Sequence, residues 1–289
     1  MNQPNGRCDL HTHSQASDGM QSPAANVELA KQKGLAAMAL TDHDTVAGVA
    51  EALRTGEEMG IEVVAGVEIS TRAGGKDIHV LGYYVDIEDK TFLERLRNLR
   101  EAREERNHRI IAKLQELGLA INWQEVIEGL GRPLEPDESI GRPHVADVLV
   151  SKGYATDMRD AFDRYLAEGK PGFVSVPRVA PEEACRWIRE AGGAAVIAHP
   201  GLYGNDELVR EIIQNSKPDG IEVFHADHDL AEERKYADLA LEFGLIQTGG
   251  SDYHGVRQGV VFHGDLGSKS VAVDVLQSLQ IAARRNRES

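Results

Sequence analysis

The residues best suited to chemistry appear early, in Asp9-Leu10-His11-Thr12-His13-Ser14 and the following Ser17-Asp18-Gly19. Residues 8–13 alternate as a short strand does, and residues two apart in a strand face the same side. His11 and His13 can therefore aim two imidazoles at one ion. Imidazole suits zinc, manganese, iron or nickel, and nearby carboxylates such as Asp18 favour the harder members. A single His-x-His is a weak signal. Here the pattern recurs: His43 in Thr41-Asp42-His43-Asp44, Glu68 in Gly66-Val67-Glu68, His199 in His199-Pro200-Gly201, and Asp252 and His254 in Ser251-Asp252-Tyr253-His254 each follow an apolar run.

Those residues need elements to carry them. Strands are predicted over residues 35–40, 61–64, 78–85, 194–198, 220–224 and 245–248, and helices over 24–33, 45–59, 182–191, 206–216 and 230–243. Ser22, Pro23 and Gly34 give the first helix an N-cap, a proline at its first position and a terminating glycine. Strands and helices alternating through short links are the signature of βα units around a parallel sheet or barrel. In such a barrel the C-terminal strand ends share one face, where catalytic groups collect. His79 lies nearer the start of its strand and fits that rule poorly.

From about residue 86 the texture changes. One long charged helix is predicted over 93–117, then helices over 122–130, 143–152 and 157–167. The expected plan is a barrel built from residues 1–87 and 181–289, interrupted by a helical insertion over 88–180. The charge-rich stretch 94–109 is expected to be a solvated face with i,i+4 pairs. The tail, 271–285, reads as an amphipathic helix. No role falls to His108 or His263.

Composition narrows the partners. With 289 residues and a net charge of -15, a long surface for duplex nucleic acid is not expected, although a local basic pocket for phosphate is. Two cysteines, Cys8 and Cys185, argue against a disulfide framework or a thiolate zinc site and fit a reducing cytoplasm. No apolar run is long enough to span a membrane, and the N-terminus lacks the apolar core of a signal peptide. A cytoplasmic location without membrane partners is expected; the oligomeric state is open.

The motifs DLHTHS…SDG, LTDHD, GVEIS, HVLGY, AVIAHPG and GSDYHG, in this order from residue 8 to 255, resemble those of the PHP (polymerase and histidinol phosphatase) family, related to the amidohydrolases. The resemblance implies a distorted (β/α)7 barrel, an α/β fold, with a metal cluster at its C-terminal face. It implies one ion on His11, His13, Glu68 and Asp252, a second bridged by Glu68 to His79 and His199, and a third on Asp18, His43 and His254. Two or three divalent ions (Mn, Fe or Zn) are the implied cofactors. Such ions turn a shared water into a hydroxide nucleophile at neutral pH and clamp phosphoryl oxygens.

The insertion resembles that of one subgroup, which includes a 3′,5′-nucleotide bisphosphate phosphatase and exonuclease-like relatives. Ile140-Gly141-Arg142-Pro143-His144 and Gly169-Lys170-Pro171-Gly172 carry this resemblance. Arg142 offers a planar fork for phosphate and Lys170 a point charge. His144 is expected to donate to the phosphate or leaving group. Asp252, His199 and His144 are the expected catalytic residues; Arg142, His144, Lys170, His225 and Arg257 are the expected phosphate contacts. The subgroup often has Arg after HPG, where this chain has Leu202. The specific expectation is removal of the 3′-phosphate of adenosine 3′,5′-bisphosphate. Alternatives are 5′-to-3′ trimming of short 5′-phosphorylated oligonucleotides, hydrolysis of histidinol phosphate, or a non-catalytic, metal-stabilised accessory module.

Overall fold

The computed structural model describes residues 6–288. Seven strands lead the fold: β1 (Arg7–Asp9), β2 (Ala37–Leu40), β3 (Glu62–Ala73), β4 (Lys76–Tyr83), β5 (Ala194–Ile197), β6 (Gly220–His225) and β7 (Ile246–Gly250). They lie side by side in chain order, an arrangement matching a nearly closed barrel. A later two-residue strand, β10 (Val271–Ala272), pairs antiparallel with β1. The tail therefore starts as strand before turning helical. Between them β8 (Val256–Arg257) and β9 (Val260–Val261) form a separate antiparallel hairpin.

Helices α1 (Pro23–Gln32) and α2 (Val49–Met59) link the first strands, and α7 (Pro181–Glu190), α8 (Asp206–Ser216) and α9 (Leu230–Phe243) the later ones. The Ser22 hydroxyl caps α1 by accepting from the Ala25 amide, as its sequence implied.

The period of two divides each strand between two cores. Ala37 and Ala39 of β2 and Ala194 and Val196 of β5 join an inner cluster with Cys8, Val64 and Leu81. Met38, Leu40, Ala195 and Ile197 face outward into the helix layer. Small inward residues suit a narrow barrel interior. Helix α10 (Val275–Arg287) adds Leu276, Leu279 and Ala283 to the inner cluster.

One strand departs from the parallel rule. β4 runs antiparallel to both β3 and β5. A turn at Gly74 and Gly75, both at positive φ, folds the chain straight back. The start of β4 thus lies beside the C-terminal ends of its neighbours, with His79 opposite Ser70. This removes the inconsistency noted for His79.

Residues 110–174 supply a third core of their own, including Ile110, Leu114, Val145, Leu149 and Leu166. Helix α3 (Lys90–Glu116) spans two cores: Phe92 and Leu96 pack in the barrel's outer core, Ile110 and Leu114 in the third. Helices α4 (Trp123–Glu128), α5 (Arg142–Ser151) and α6 (Met158–Ala161) follow, and α6 continues as a π turn over Phe162–Leu166. The stretch 94–109 is not a uniformly solvated face. Arg103, Arg106 and Asn107 are buried.

Candidate active site

Three backbone positions mark the strand ends. Asp44 (φ 57°), His199 (φ 23°) and Asp252 (φ 52°) are non-glycine residues at positive φ. Such strain persists only where surrounding contacts over-determine it. Those contacts are visible: Asp9 accepts hydrogen bonds from the Ser251 amide and hydroxyl, the His11 amide and the Gly267 amide. Asp42 holds the Ser14 amide and the Ser14 and Ser17 hydroxyls. Two buried carboxylates thus lock the loops that carry His13, Asp18 and Asp252.

Glu68 is the centre of the site. Its Oε1 lies 2.7 Å from His79 Nδ1 and 3.1 Å from His199 Nε2. Its Oε2 lies 3.4, 3.2 and 2.9 Å from His11 Nε2, His13 Nε2 and His43 Nδ1. Asp252 Oδ1 closes the second group at 3.3 and 3.1 Å from the same His11 and His13 nitrogens. A third group gathers on Asp18, with His254 Nε2 at 3.3 Å and His43 Nε2 at 3.8 Å. Eight of the nine expected ligand residues fall in sets of ligand atoms close enough to hold ions; His79 does so with His43 and Glu68, while His199 belongs to no such set and reaches the cluster through Glu68 Oε1.

The donor set fits divalent cations. His11 Nε2, His13 Nε2, His43 Nδ1, Glu68 Oε2 and Asp252 Oδ1 are buried without a hydrogen-bond partner among the described residues. Leaving a buried polar atom unpaired is costly unless something else binds it. Burial alone would raise the carboxyl pKa of Glu68, Asp18 and Asp252. The surrounding imidazoles outweigh it and hold all three well below the carboxylate range. Burial likewise opposes charge on His11, but Asp252, Glu222 and Glu68 raise its pKa well above the ordinary value. Burial pushes His199 down to about 4, leaving a neutral ring.

Glu222 escaped the sequence reading. It is buried in β6 and accepts from His11 Nδ1 at 3.1 Å and from the His199 amide at 2.8 Å. A carboxylate behind a histidine fixes its tautomer and turns the other nitrogen toward an ion. The available signal was an acid placed among apolar residues in Gly220-Ile221-Glu222-Val223.

The ligand groups lie at the base of a cavity of about 800 Å³. Arg103, Arg106, Arg142, Arg178 and Arg257 line it. Arg103 reaches Asp44 and donates to Ser70 Oγ at 2.6 Å. Arg142 lies 3.3 Å and Arg178 3.6 Å from the Asp77 carboxylate. Arg106 donates to Asn107, but its Nε has no partner among the described residues. Burial, then Arg103, Arg178 and Arg142, pull its pKa well below the ordinary guanidinium value. Asp44, Asp77 and Asp147, the last 3.7 Å from Arg257, are three carboxylates against these five arginines.

Three expected phosphate contacts sit elsewhere. Lys170 is exposed on a turn and does not line the cavity. His225 is fully buried, accepts from the Asp227 amide and lies 3.3 Å from Asp252 Oδ2, so it braces that carboxylate. His144 caps its own helix: its Nδ1 accepts from the Gly141 amide at 3.0 Å, and its ring is outside the cavity lining. Burial, then Arg257, lowers its pKa to about 4. His263, given no role, does line the cavity, with its Nδ1 on Asp227 and its Nε2 3.5 Å from Asp252 Oδ2.

A barrel with clustered histidines and carboxylates at its mouth, facing a wall of arginines, defines a hydrolase of phosphate esters that uses metal ions. Comparison with known proteins agrees. The PHP domain model matches residues 9–168, more than half of the chain. A 3′,5′-nucleoside bisphosphate phosphatase from Chromobacterium violaceum is 38% identical over 255 residues, covering 87% of this chain and 88% of the relative. A 5′-3′ exoribonuclease from Haemophilus influenzae is 36% identical over 250 residues, covering 85% and 89%. A solved Bifidobacterium adolescentis structure, described as a metal-dependent phosphoesterase, superposes with a TM-score of 0.87 at 30% identity, covering 97% of this chain and 98% of that one. The chain belongs to the PHP family, and it is a metal-dependent phosphoesterase. No helix among the described residues is long and apolar enough to cross a membrane.

Proposed function

We propose that this phosphoesterase removes the 3′-phosphate from a small nucleotide carrying a second phosphate, with adenosine 3′,5′-bisphosphate as the best candidate. The observation that carries this reading is the pairing of two anion-seeking surfaces in one cavity: the ligand groups around Glu68, and the guanidinium wall with its unpartnered Arg106 Nε. The reacting phosphate belongs to the first and the spectator phosphate to the second. A bidentate guanidinium contact is worth more than a neutral hydrogen bond and discriminates against substrates with one phosphate.

Three ligand groups are proposed: His11, His13, Glu68 and Asp252; Glu68, His79 and His199; and Asp18, His43 and His254. When bound, divalent ions polarise the phosphoryl oxygens and acidify water beside them. The chain's part is positioning. Asp252 is held between His225 and the ligand histidines, and Glu222 orients His11. His199, neutral and beside Glu68, keeps its lone pair available. His144 acts through its cap on Gly141, which sets the turn from which Arg142 reaches the cavity.

Chain length of the substrate separates this reading from oligonucleotide trimming, which the similarity to an exoribonuclease keeps as the second reading. The test is a substrate panel with Mn²⁺ supplied: adenosine 3′,5′-bisphosphate, 5′-phosphorylated dinucleotides to pentanucleotides, and histidinol phosphate. We expect kcat/KM to be highest for the bisphosphate, with release of inorganic phosphate and 5′-AMP. Faster release of mononucleotides from the oligonucleotides would overturn it in favour of the exonuclease.

A further inference from the structure

The cavity has a second character that the phosphate chemistry leaves unused. Leu202, Val260, Val261 and Phe262 all line it, and each remains substantially exposed; Leu202 is 48% and Phe262 40% accessible. Leu202 comes from the short turn after β5, the others from the β8–β9 hairpin and the residue after it. Met158 and Phe162 of the insertion line the same space. Large apolar side chains left in water at the mouth of a charged cavity are unfavourable unless a ligand covers them. The Phe262 ring stands edge-on to His263 (centroids 4.3 Å apart) and to His254 (6.2 Å), which places a flat aromatic beside the ligand groups.

We infer that Leu202 and the hairpin form the nucleoside wall of the site, and that Phe262 is a specificity-determining residue that takes the face of the substrate's base. The occupant follows from the rest of the cavity. Its basic wall takes anions and its ligand groups take the scissile phosphate, so the apolar rim is left for the part of the substrate that is flat and uncharged. Bases stack on aromatic side chains through faces that water solvates poorly. Leu202, which follows His199-Pro200-Gly201, makes this part of the rim apolar.

This inference rests on the nucleotide bisphosphate reading, and its test separates the two. The wild-type enzyme is compared on adenosine 3′,5′-bisphosphate and on the abasic analogue, tetrahydrofuran 3′,5′-bisphosphate. We expect kcat/KM to favour the nucleotide by about tenfold or more, carried by KM. Phe262→Ala is expected to shrink that ratio to within about threefold, and Phe262→Tyr, which keeps the ring, to restore it. Equal kcat/KM for both substrates, or an unchanged ratio in Phe262→Ala, overturns the nucleoside wall while leaving the bisphosphate reading intact. Failure to cleave either bisphosphate, with other phosphomonoesters turned over, overturns both.

Discussion

The barrel mouth and the insertion solve opposite electrostatic problems in one cavity. At the mouth, carboxylates and imidazoles scattered between residues 11 and 254 converge, and five of their atoms have no hydrogen-bond partner among the described residues. On the insertion side, Arg103, Arg106 and Arg142 arrive on helices that pack partly in a separate core, and Arg106 keeps an unspent donor. One region gathers donors suited to cations and the other guanidiniums suited to an anion. In the bisphosphate reading proposed above, the reacting phosphate meets the first region and the spectator phosphate the second. The contrast teaches that the two charge patterns stand on largely different hydrophobic cores, joined by α3, which packs in both.

The sharpest way to break the comparison is at its centre. Glu68→Gln keeps the side-chain volume but removes the charge shared by two ligand groups; kcat/KM should fall by about 10³-fold or more, with fewer ions per chain by elemental analysis. A retained metal count would sink the assignment of Glu68 as a bridge. Next in size is a pH effect on the insertion. His144 has a pKa of about 4 folded against an ordinary 6.5. Between those values the unfolded chain takes up a proton that the native chain refuses. Stability should therefore be intact above pH 6.5 and fall as pH drops toward 4, by at most ~3 kcal/mol from this group. In His144→Gln, denaturant midpoints measured from pH 7 to 4 should show a shallower decline; an identical slope would contradict the buried neutral ring.

Arg106→Ala sharpens the division of labour. It should raise KM for the bisphosphate about 10- to 100-fold, in line with loss of one charged hydrogen-bonding group. Metal content should stay at the wild-type level, whereas a parallel loss of ions would merge the two regions into one. The smallest effect is expected at the far end of the insertion. Asn122 caps α4 in a reciprocal pair with Glu125. Asn122→Ala should cost about 1 kcal/mol. Amide exchange should quicken within residues 110–174 and stay unchanged in β2 and β5. Quickening in the barrel strands would show the cores to be coupled.

The gathering of the expected ligand histidines and carboxylates was legible because each follows an apolar run at a strand end, a local pattern that repeats along the chain. The alternation of strands and helices was legible for the same reason. What the sequence hid was set by tertiary partners. Arg103 and Arg106 sit in a stretch so rich in charge that it reads as solvated. Their burial depends on Asp44, Ser70 and Asn107, of which two lie far away in the chain. His144 and Lys170 carry suitable groups for phosphate, but a side chain's reach is fixed by helix capping and turn geometry that spacing does not reveal. The hairpin that precedes Phe262 is too short to announce itself by periodicity.

The reversal of β4 also dictates the route of the chain beyond it. Because β4 returns toward the floor of the barrel, the polypeptide leaves the sheet at Tyr83, across from the start of β5 at Ala194. To approach the mouth again it must climb the outside of the molecule, and α3 is the ladder. Its 27 residues span ~40 Å. The two buried arginines sit midway along that ascent, where the helix passes the rim. A change in helix length below Arg103 would rotate both guanidiniums by about 100° per residue. The placement of Arg103 and Arg106 at the cavity is thus geared to the length of a helix whose first turns never touch it.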